Sequence, residues 1–176
     1  MKEFKNIQNK PVTIDGKYIF ISRSVACLCV LILENPKGIF VLINKRGSGA
    51  MDSPHKWNLP AGYLDWNENG VECVTREVWE ECGVDLDALL ESNLVHMSYE
   101  PFKVLTDPEE NGRQNVVLCY GVMIKSENSD FPIVTNQYCE KDEVEEIVWC
   151  SVYHLANYEF AFNHNQRIID YLKYID

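Results

Sequence analysis

Glu77, Glu80 and Glu81 stand three and four residues apart, with no lysine among them, and they carry the clearest chemistry in this chain. On a helix those spacings set all three side chains on one face. Each like-charged neighbour pair costs an isolated helix roughly 0.2–0.5 kcal/mol. A hard divalent cation reverses that cost, because Mg2+ and Mn2+ take oxygen ligands and screen the charge. Val71, Val74, Val78 and Cys82 recur at the same three- and four-residue steps, so the helix has an apolar stripe beside the acidic one. One face then packs on a core and the other presents carboxylates to a cleft. Asn69 followed by Glu72 predicts a capping box at the start. Gly83 suits the left-handed residue that closes a helix.

Written as Gly62-x5-Glu68-x7-Arg76-Glu77-Val78-x-Glu80-Glu81-x-Gly83-Val84, residues 62–84 resemble the Nudix hydrolase box at every defined position. The strict resemblance covers this box, and a looser one runs upstream through Trp57-Asn-Leu-Pro60-Ala61-Gly62 and downstream to an acidic segment before Trp149. It implies an enzyme that hydrolyses a diphosphate bond in a nucleoside diphosphate linked to another group, of ADP-ribose, nucleotide-sugar or dinucleotide type, releasing a nucleoside monophosphate. Divalent ions serve such chemistry by neutralising phosphate oxygens, activating water and bracing the leaving oxygen. By this resemblance Mg2+ is the cofactor, with Mn2+ as a substitute. Glu77, Glu80 and Glu81 are its ligands, together with the Ala61 carbonyl next to Gly62, where the lack of a side chain permits close approach. Arg76 orients the carboxylates and pairs with Glu68, and Glu80 and Glu81 count among the catalytic groups. A carboxylate outside the box completes such sites as a ligand or a base. Glu143, six residues before Trp149, is most similar to that position, and Asp142, Glu145, Glu146, Glu109 and Glu110 are its alternatives.

The box does not choose the substrate. Pro101 and the segment Tyr158–His164 are similar to features of ADP-ribose-cleaving members. A nucleoside triphosphate pyrophosphohydrolase is the runner-up. A nucleotide-sensing domain without catalysis is the alternative of another class, opposed by the complete box and the lack of a basic winged-helix extension. Arg46 opens a loop to Lys56 that flanks a ligand, and Trp57, Tyr63, Trp66, Tyr99 and Phe102 offer rings for stacking a base or for core packing.

Composition narrows the partners. The 176 residues carry 27 acidic and 16 basic side chains, a formal charge of −11, which opposes binding to nucleic acid or to an anionic membrane. The expected partner is a nucleotide-type small molecule, and a homodimer remains compatible with the resemblance. The start lacks the apolar core of a signal peptide, and Val25 to Leu33 is too short to span a bilayer. Seven cysteines without C-x-x-C spacing read as small buried residues in a reducing cytoplasm. His55, His96, His154 and His164 show no metal-ligand spacing.

The elements that position the helix follow from local patterns. Pro11 to Ile21 reads as a hairpin turning at Asp15-Gly16. Val25 to Leu33 is a buried strand, Asn35 to Gly38 a turn, and Ile39 to Asn44 the return strand. Strands are expected at Leu94–Tyr99, Asn115–Ile124 and Ile147–Cys150, with polar loops at 107–112 and 126–132 and a terminal helix over 162–174. Strands with one central and one late helix predict an α/β fold with a mixed sheet between helices. The resemblance implies a Nudix-type α/β/α sandwich with a loop-helix-loop motif. Residues 1–23 are read as an N-terminal hairpin extension of the same unit, and 24–176 as the Nudix domain.

Overall fold

In the computed structural model, residues 10–21, 25–90, 95–107 and 115–176 are described. The central strand β3 (Val25–Asn35) carries the reason for the architecture. Its Cys27, Cys29, Leu31 and Leu33 pack into one apolar cluster, while the alternating Leu28, Val30 and Ile32 pack into another. A strand buried on both faces needs a layer on each side, and it reads in sequence as a continuous apolar run.

β3 pairs antiparallel with β4 (Gly38–Arg46) and parallel with β9 (Val116–Lys125), from Val25↔Val116 to Glu34↔Lys125. The main sheet has the order β10-β4-β3-β9-β7, where β7 is Val95–Met97 and β10 is Val144–Ser151. Three short strands attach to it: β5 (Trp57–Asn58) to β4, β6 (Ala61–Tyr63) to β3, and β8 (Lys103–Leu105) to β9. Helices α1 (Gly70–Cys82) and α2 (Leu86–Leu90) cover one face. Helix α3 (His164–Ile175) covers the other through Ile168 and Tyr171. The expected α/β/α sandwich around a mixed sheet is the fold observed.

The hairpin β1 (Lys10–Ile14) and β2 (Lys17–Ile21) forms its own two-stranded sheet, turning at Asp15 and Gly16 with φ of 52° and 74°. Several boundaries and two short elements differ from expectation. The expected strand at 94–99 is β7, shortened to Val95–Met97, with Leu94 outside the described residues. β10 begins at Val144, so Glu145 and Glu146 lie on a strand; a register shift between Val144 and Glu146 breaks the alternation that would have revealed it. Helix α2 and strand β8 are too short to leave a periodic signal. Cys27, Cys29, Cys73, Cys82, Cys119 and Cys150 are buried free thiols, and Cys139 is half-exposed. No helix among the described residues is long and apolar enough to cross a membrane.

Candidate active site

Helix α1 is fixed at both ends. Asn69 caps the first turn by accepting from Val71 N and Glu72 N, while Glu72 reaches back to Asn69 N at 2.7 Å. Gly83, at φ 70°, ends it by donating to Trp79 O at 2.8 Å. Cys73, Val74, Val78 and Cys82 face the core. The neighbouring face carries Arg76, Glu77 and Glu81, all buried as well, with Glu80 partly so.

Arg76, 4% exposed, organises the acids. Its Nε and Nη2 donate to the two carboxylate oxygens of Glu68 at 3.1 and 2.7 Å. Nη1 donates to Glu77 Oε1 at 2.6 Å and to Glu80 Oε2 at 3.0 Å, and Nη2 also reaches Tyr63 O at 3.1 Å. Glu81 lies outside this fork. Its Oε2 accepts from Asn44 Nδ2 at 2.8 Å and from Ala61 N at 3.2 Å. Gly62 faces Glu77 across β6: a Cβ at position 62 would stand 1.9 Å from Glu77 Oε1, so the space of the missing side chain is filled by the carboxylate.

Glu143 enters from the loop before β10. Its backbone carbonyl accepts from Gly47 N at 2.6 Å, and its carboxylate accepts from Glu140 N at 3.1 Å. Its charge is felt by both Glu77 and Glu81. Of the alternatives, Asp142 binds Gly49 N through its carbonyl. Glu145 pairs with Lys45 at 3.0 Å and with His55, and Glu146 is exposed on β10. Glu109 and Glu110 lie outside the described residues.

The electrostatics of the cluster show a shortage of positive charge. Burial pushes Glu77 up to about 7 against the pull of Arg76, with Glu80 and Glu143 adding to the rise. Burial, then Glu77 and Glu143, holds Glu81 well above the usual carboxylate range, although Asn44 and Ala61 N oppose it. Glu80 and Glu143 are also raised, first by burial. Burial would raise Glu68 too, but the Arg76 fork and Asp65 N outweigh it and leave Glu68 lowered. Carboxylates that resist ionisation for want of a cation suit a bound cation. The donors are hard oxygens, and the buried Asn44 Oδ1 beside them has no hydrogen-bond partner among the described residues. A divalent ion therefore fits this group. Among the described residues no three His, Cys, Asp or Glu side chains are converged into a ready-made cage, and an ion held by Glu77 and Glu80 would have to share or take the oxygens that Arg76 holds.

The ligand-flanking candidates divide by packing. Arg46 sits at the end of β4, donates from Nε to Asp52 O at 2.9 Å and lies 5.2 Å from the Phe162 ring centroid. Trp57 is held by packing, edge-on to Tyr158 at 4.9 Å between ring centroids, and Phe102 packs on Tyr171 at the same separation. Tyr63 is half-buried, its hydroxyl accepting from Asn115 Nδ2 at 3.2 Å. Trp66 and Tyr99 are exposed.

Three supporting groups escaped sequence reasoning. Asn44 ends the apolar strand Ile39–Ile43 as a buried polar residue, which is a signal of a partner across the core. His164 is buried, and its Nδ1 accepts from Leu59 N at 3.0 Å, steadying the chain just before Ala61. Burial first, then Arg46 and Arg167, lowers that imidazole to about 3, so it remains neutral. Gly47 touches Asp142 and Glu143 through a contact that spans most of the chain and leaves no local pattern.

A family model described as the NUDIX domain matches residues 23–172. No curated protein sequence matches the chain. Among solved structures, the fold is similar to the NUDIX domain of Shewanella oneidensis NrtR complexed with ADP ribose, at TM-score 0.64 and 15% identity over 86% of this chain and 88% of that one. It is similar to a C. elegans Ap4A hydrolase binary complex at TM-score 0.60 and 16% identity, over 86% and 96%. A third likeness is to a bifunctional NMN adenylyltransferase/ADP ribose pyrophosphatase from Francisella tularensis complexed with AMP and Mn ion, at TM-score 0.65 and 18% identity, over 86% and 42%. At these identities the likeness is one of fold.

Proposed function

The chain belongs to the NUDIX domain family of pyrophosphohydrolases, and we propose that it hydrolyses a diphosphate bond in a nucleoside diphosphate linked to another group, of ADP-ribose, nucleotide-sugar or dinucleotide type. The products are a nucleoside monophosphate and a phosphorylated partner, and Mg2+ is the working ion. One observation carries the reading: Glu77, Glu80 and Glu81 share one face of α1, where the single guanidinium of Arg76 is divided among Glu68, Glu77 and Glu80 and leaves buried Glu81 to neutral donors. That the solved structures of like fold hold ADP ribose and AMP supports a nucleotide-type substrate.

Glu77, Glu80, Glu81 and the Ala61 carbonyl would hold the ion. Bound there, it screens the diphosphate and acidifies water. Arg76 keeps Glu77 and Glu80 aimed by hydrogen bonds to both. Asn44 and Ala61 N hold Glu81 by one oxygen and leave its other oxygen outside those bonds. Glu143, its carboxyl raised from the ordinary value first by burial, suits the task of taking a proton from the attacking water. Arg46, at the mouth of the same strand end, meets substrate phosphate, with Tyr63 and Tyr99 flanking the ligand.

The test is a panel of ADP-ribose, nucleotide sugars, dinucleoside polyphosphates and nucleoside triphosphates with Mg2+ or Mn2+, run in 18O-labelled water with products resolved by mass. The expected result is label on a phosphate oxygen of one monophosphate product. Pyrophosphate release from a triphosphate would replace the substrate class. Label on a sugar hydroxyl, or nucleotide binding without turnover, would overturn the proposal.

A further inference from the structure

Residues 135–143 run along the C-terminal end of α1, touching it at Cys82 and Trp79, and bring Glu143 to where Glu77 and Glu81 feel its charge, although that charge opposes the approach. The segment and the strand after it carry Glu140, Asp142, Glu143, Glu145 and Glu146 with a single Lys141, and α1 presents Glu77, Glu80 and Glu81. Like charges at that approach repel, and the cations that oppose the repulsion, Lys45 on Glu145 and Arg46 near Glu143, stand on the β4 side, so on the α1 side the segment is held without charge.

Along the segment itself the contacts are hydrogen bonds from backbone N–H groups and one ring stack. At the start, Thr135 N donates to Cys82 O at 2.9 Å, in space that Gly83 leaves open: a Cβ at 83 would stand 2.4 Å from Thr135 Cγ2. In the middle, Tyr138 lies flat on Trp79 of α1, ring centroids 4.3 Å apart and planes 19° from parallel. At the end, Gly47 N donates to Glu143 O at 2.6 Å and Gly49 N to Asp142 O at 2.9 Å. A Cβ at 47 would fall 2.0 Å from Asp142 O, so only glycine admits this approach. A turn closed by Glu143 N on Glu140 O, at 3.2 Å, makes the last residues one unit. Tyr138 is a half-exposed aromatic ring in a run of polar residues, and its Trp79 contact is the use the fold makes of it.

We propose that Trp79, Tyr138 and Gly47 are positioning residues, which clamp the 135–143 segment to α1 and β4 and so hold the Glu143 carboxylate against the helix carboxylates. This rests on the reading of Glu143 as the carboxylate that works from outside the box. The clamp acts on the rate and not on substrate binding, because none of the three residues need touch substrate.

The experiment compares Tyr138→Ala and Tyr138→Phe in the full chain, alone and with Glu143→Gln, using ADP-ribose with Mg2+ or whichever panel member turns over fastest. Tyr138→Ala should lower kcat about tenfold, or about 1.4 kcal/mol, with KM unchanged, while Tyr138→Phe keeps the stack and the rate. In the Glu143→Gln background Tyr138→Ala should cost nothing more. Amide exchange gives a readout independent of activity: Gly47 and Gly49 should exchange faster in Tyr138→Ala while the α1 amides keep their protection. Equal losses of kcat in both backgrounds, or unchanged exchange at Gly47, would overturn the clamp and leave Glu143 its role. Full activity of Glu143→Gln itself would remove that role and the clamp with it.

Discussion

Gly62→Ala is the sharpest probe of the carboxylate cluster, because it adds one methyl group whose three nearest atoms would all belong to Glu77. Gly62 lies on β6, opposite Cys27 of β3, with backbone outside the left-handed region, so alanine meets no strain of its own. The added Cβ falls 1.9, 2.3 and 2.7 Å from Glu77 Oε1, Cδ and Oε2. Contact at van der Waals distance requires the carboxylate to move by more than 1 Å, and it is the free end of its side chain that moves. The backbone of β6 then stays in register, and the 2.6 Å bond from Arg76 Nη1 is lost or lengthened. A charged hydrogen bond contributes roughly 1.5–3 kcal/mol, and replacing a strand glycine returns about 0.5–1 kcal/mol. Arg76 keeps Glu68 and Glu80. The net destabilisation is therefore about 1–2 kcal/mol, a few degrees in melting temperature.

The functional cost should be far larger. A displacement of about 1 Å in a positioned group costs on the order of a hundredfold in rate, or ~2.7 kcal/mol. Three measurements separate the terms: thermal melts of the apo protein, Mn2+ titration by calorimetry, and turnover with Mg2+. The expected pattern is a small fall in melting temperature, weakened Mn2+ binding and a large fall in turnover. Combining it with Glu77→Gln should add little, since both act on one carboxylate. Unaltered Mn2+ affinity and turnover would refute the reasoning, as would additive losses in the double variant.

Two further outcomes follow from the same cluster. Glu81→Gln keeps size and removes charge, so the apo protein should melt normally while turnover falls at least about a hundredfold; near-normal turnover would displace the box as the reacting centre. Burial raises Glu77 from 4.5 to about 7 in the folded chain, so its contribution to apo stability is present below about 4.5 and lost as pH rises through about 7. Melts between pH 5 and pH 8 should show that decline in the apo protein, a smaller one in Glu77→Gln, where Glu80, Glu81 and Glu143 are still raised, and its reversal in millimolar Mg2+, while a decline equal in both proteins would assign it to those other groups.

How much of this was legible in the sequence depends on the range of each contact. The ends of α1 were readable because Asn69, Glu72 and Gly83 act within a few residues of their partners. The fork of Arg76 on Glu68 spans only the N-cap and first turns of α1 and was readable through the family pattern. β5, β6 and β8 were not, because ladders of two or three residues are imposed by β4, β3 and β9 and not by local preference. Glu145 and Glu146 looked like loop because the bulge at Val144 hides the period of two. The turn at Gly47 looked like open loop because its reason, the backbone of Asp142, lies far along the chain.

The arrangement also explains why an arginine, and no lysine, stands at position 76. The guanidinium reaches Glu68 through two nitrogens, Glu77 and Glu80 through a third, and the Tyr63 carbonyl as well. An ammonium group is a point charge and cannot span those directions at once. Because the fork is spent on Glu68, Glu77 and Glu80, it leaves Glu81 to neutral donors, Asn44 and Ala61 N, and leaves Glu143 to the Glu140 amide. The negative charge left unmatched is thus concentrated between α1 and the 135–143 segment, where Glu143 strengthens the hold of Glu81 on its proton and Glu80 that of Glu143. Arg76 sets the shape of the cluster and its deficit together. On the proposed function, a cation entering there would complete the charge without displacing Arg76 from Glu68, and one residue would serve the fold in the apo protein and the site in the loaded one.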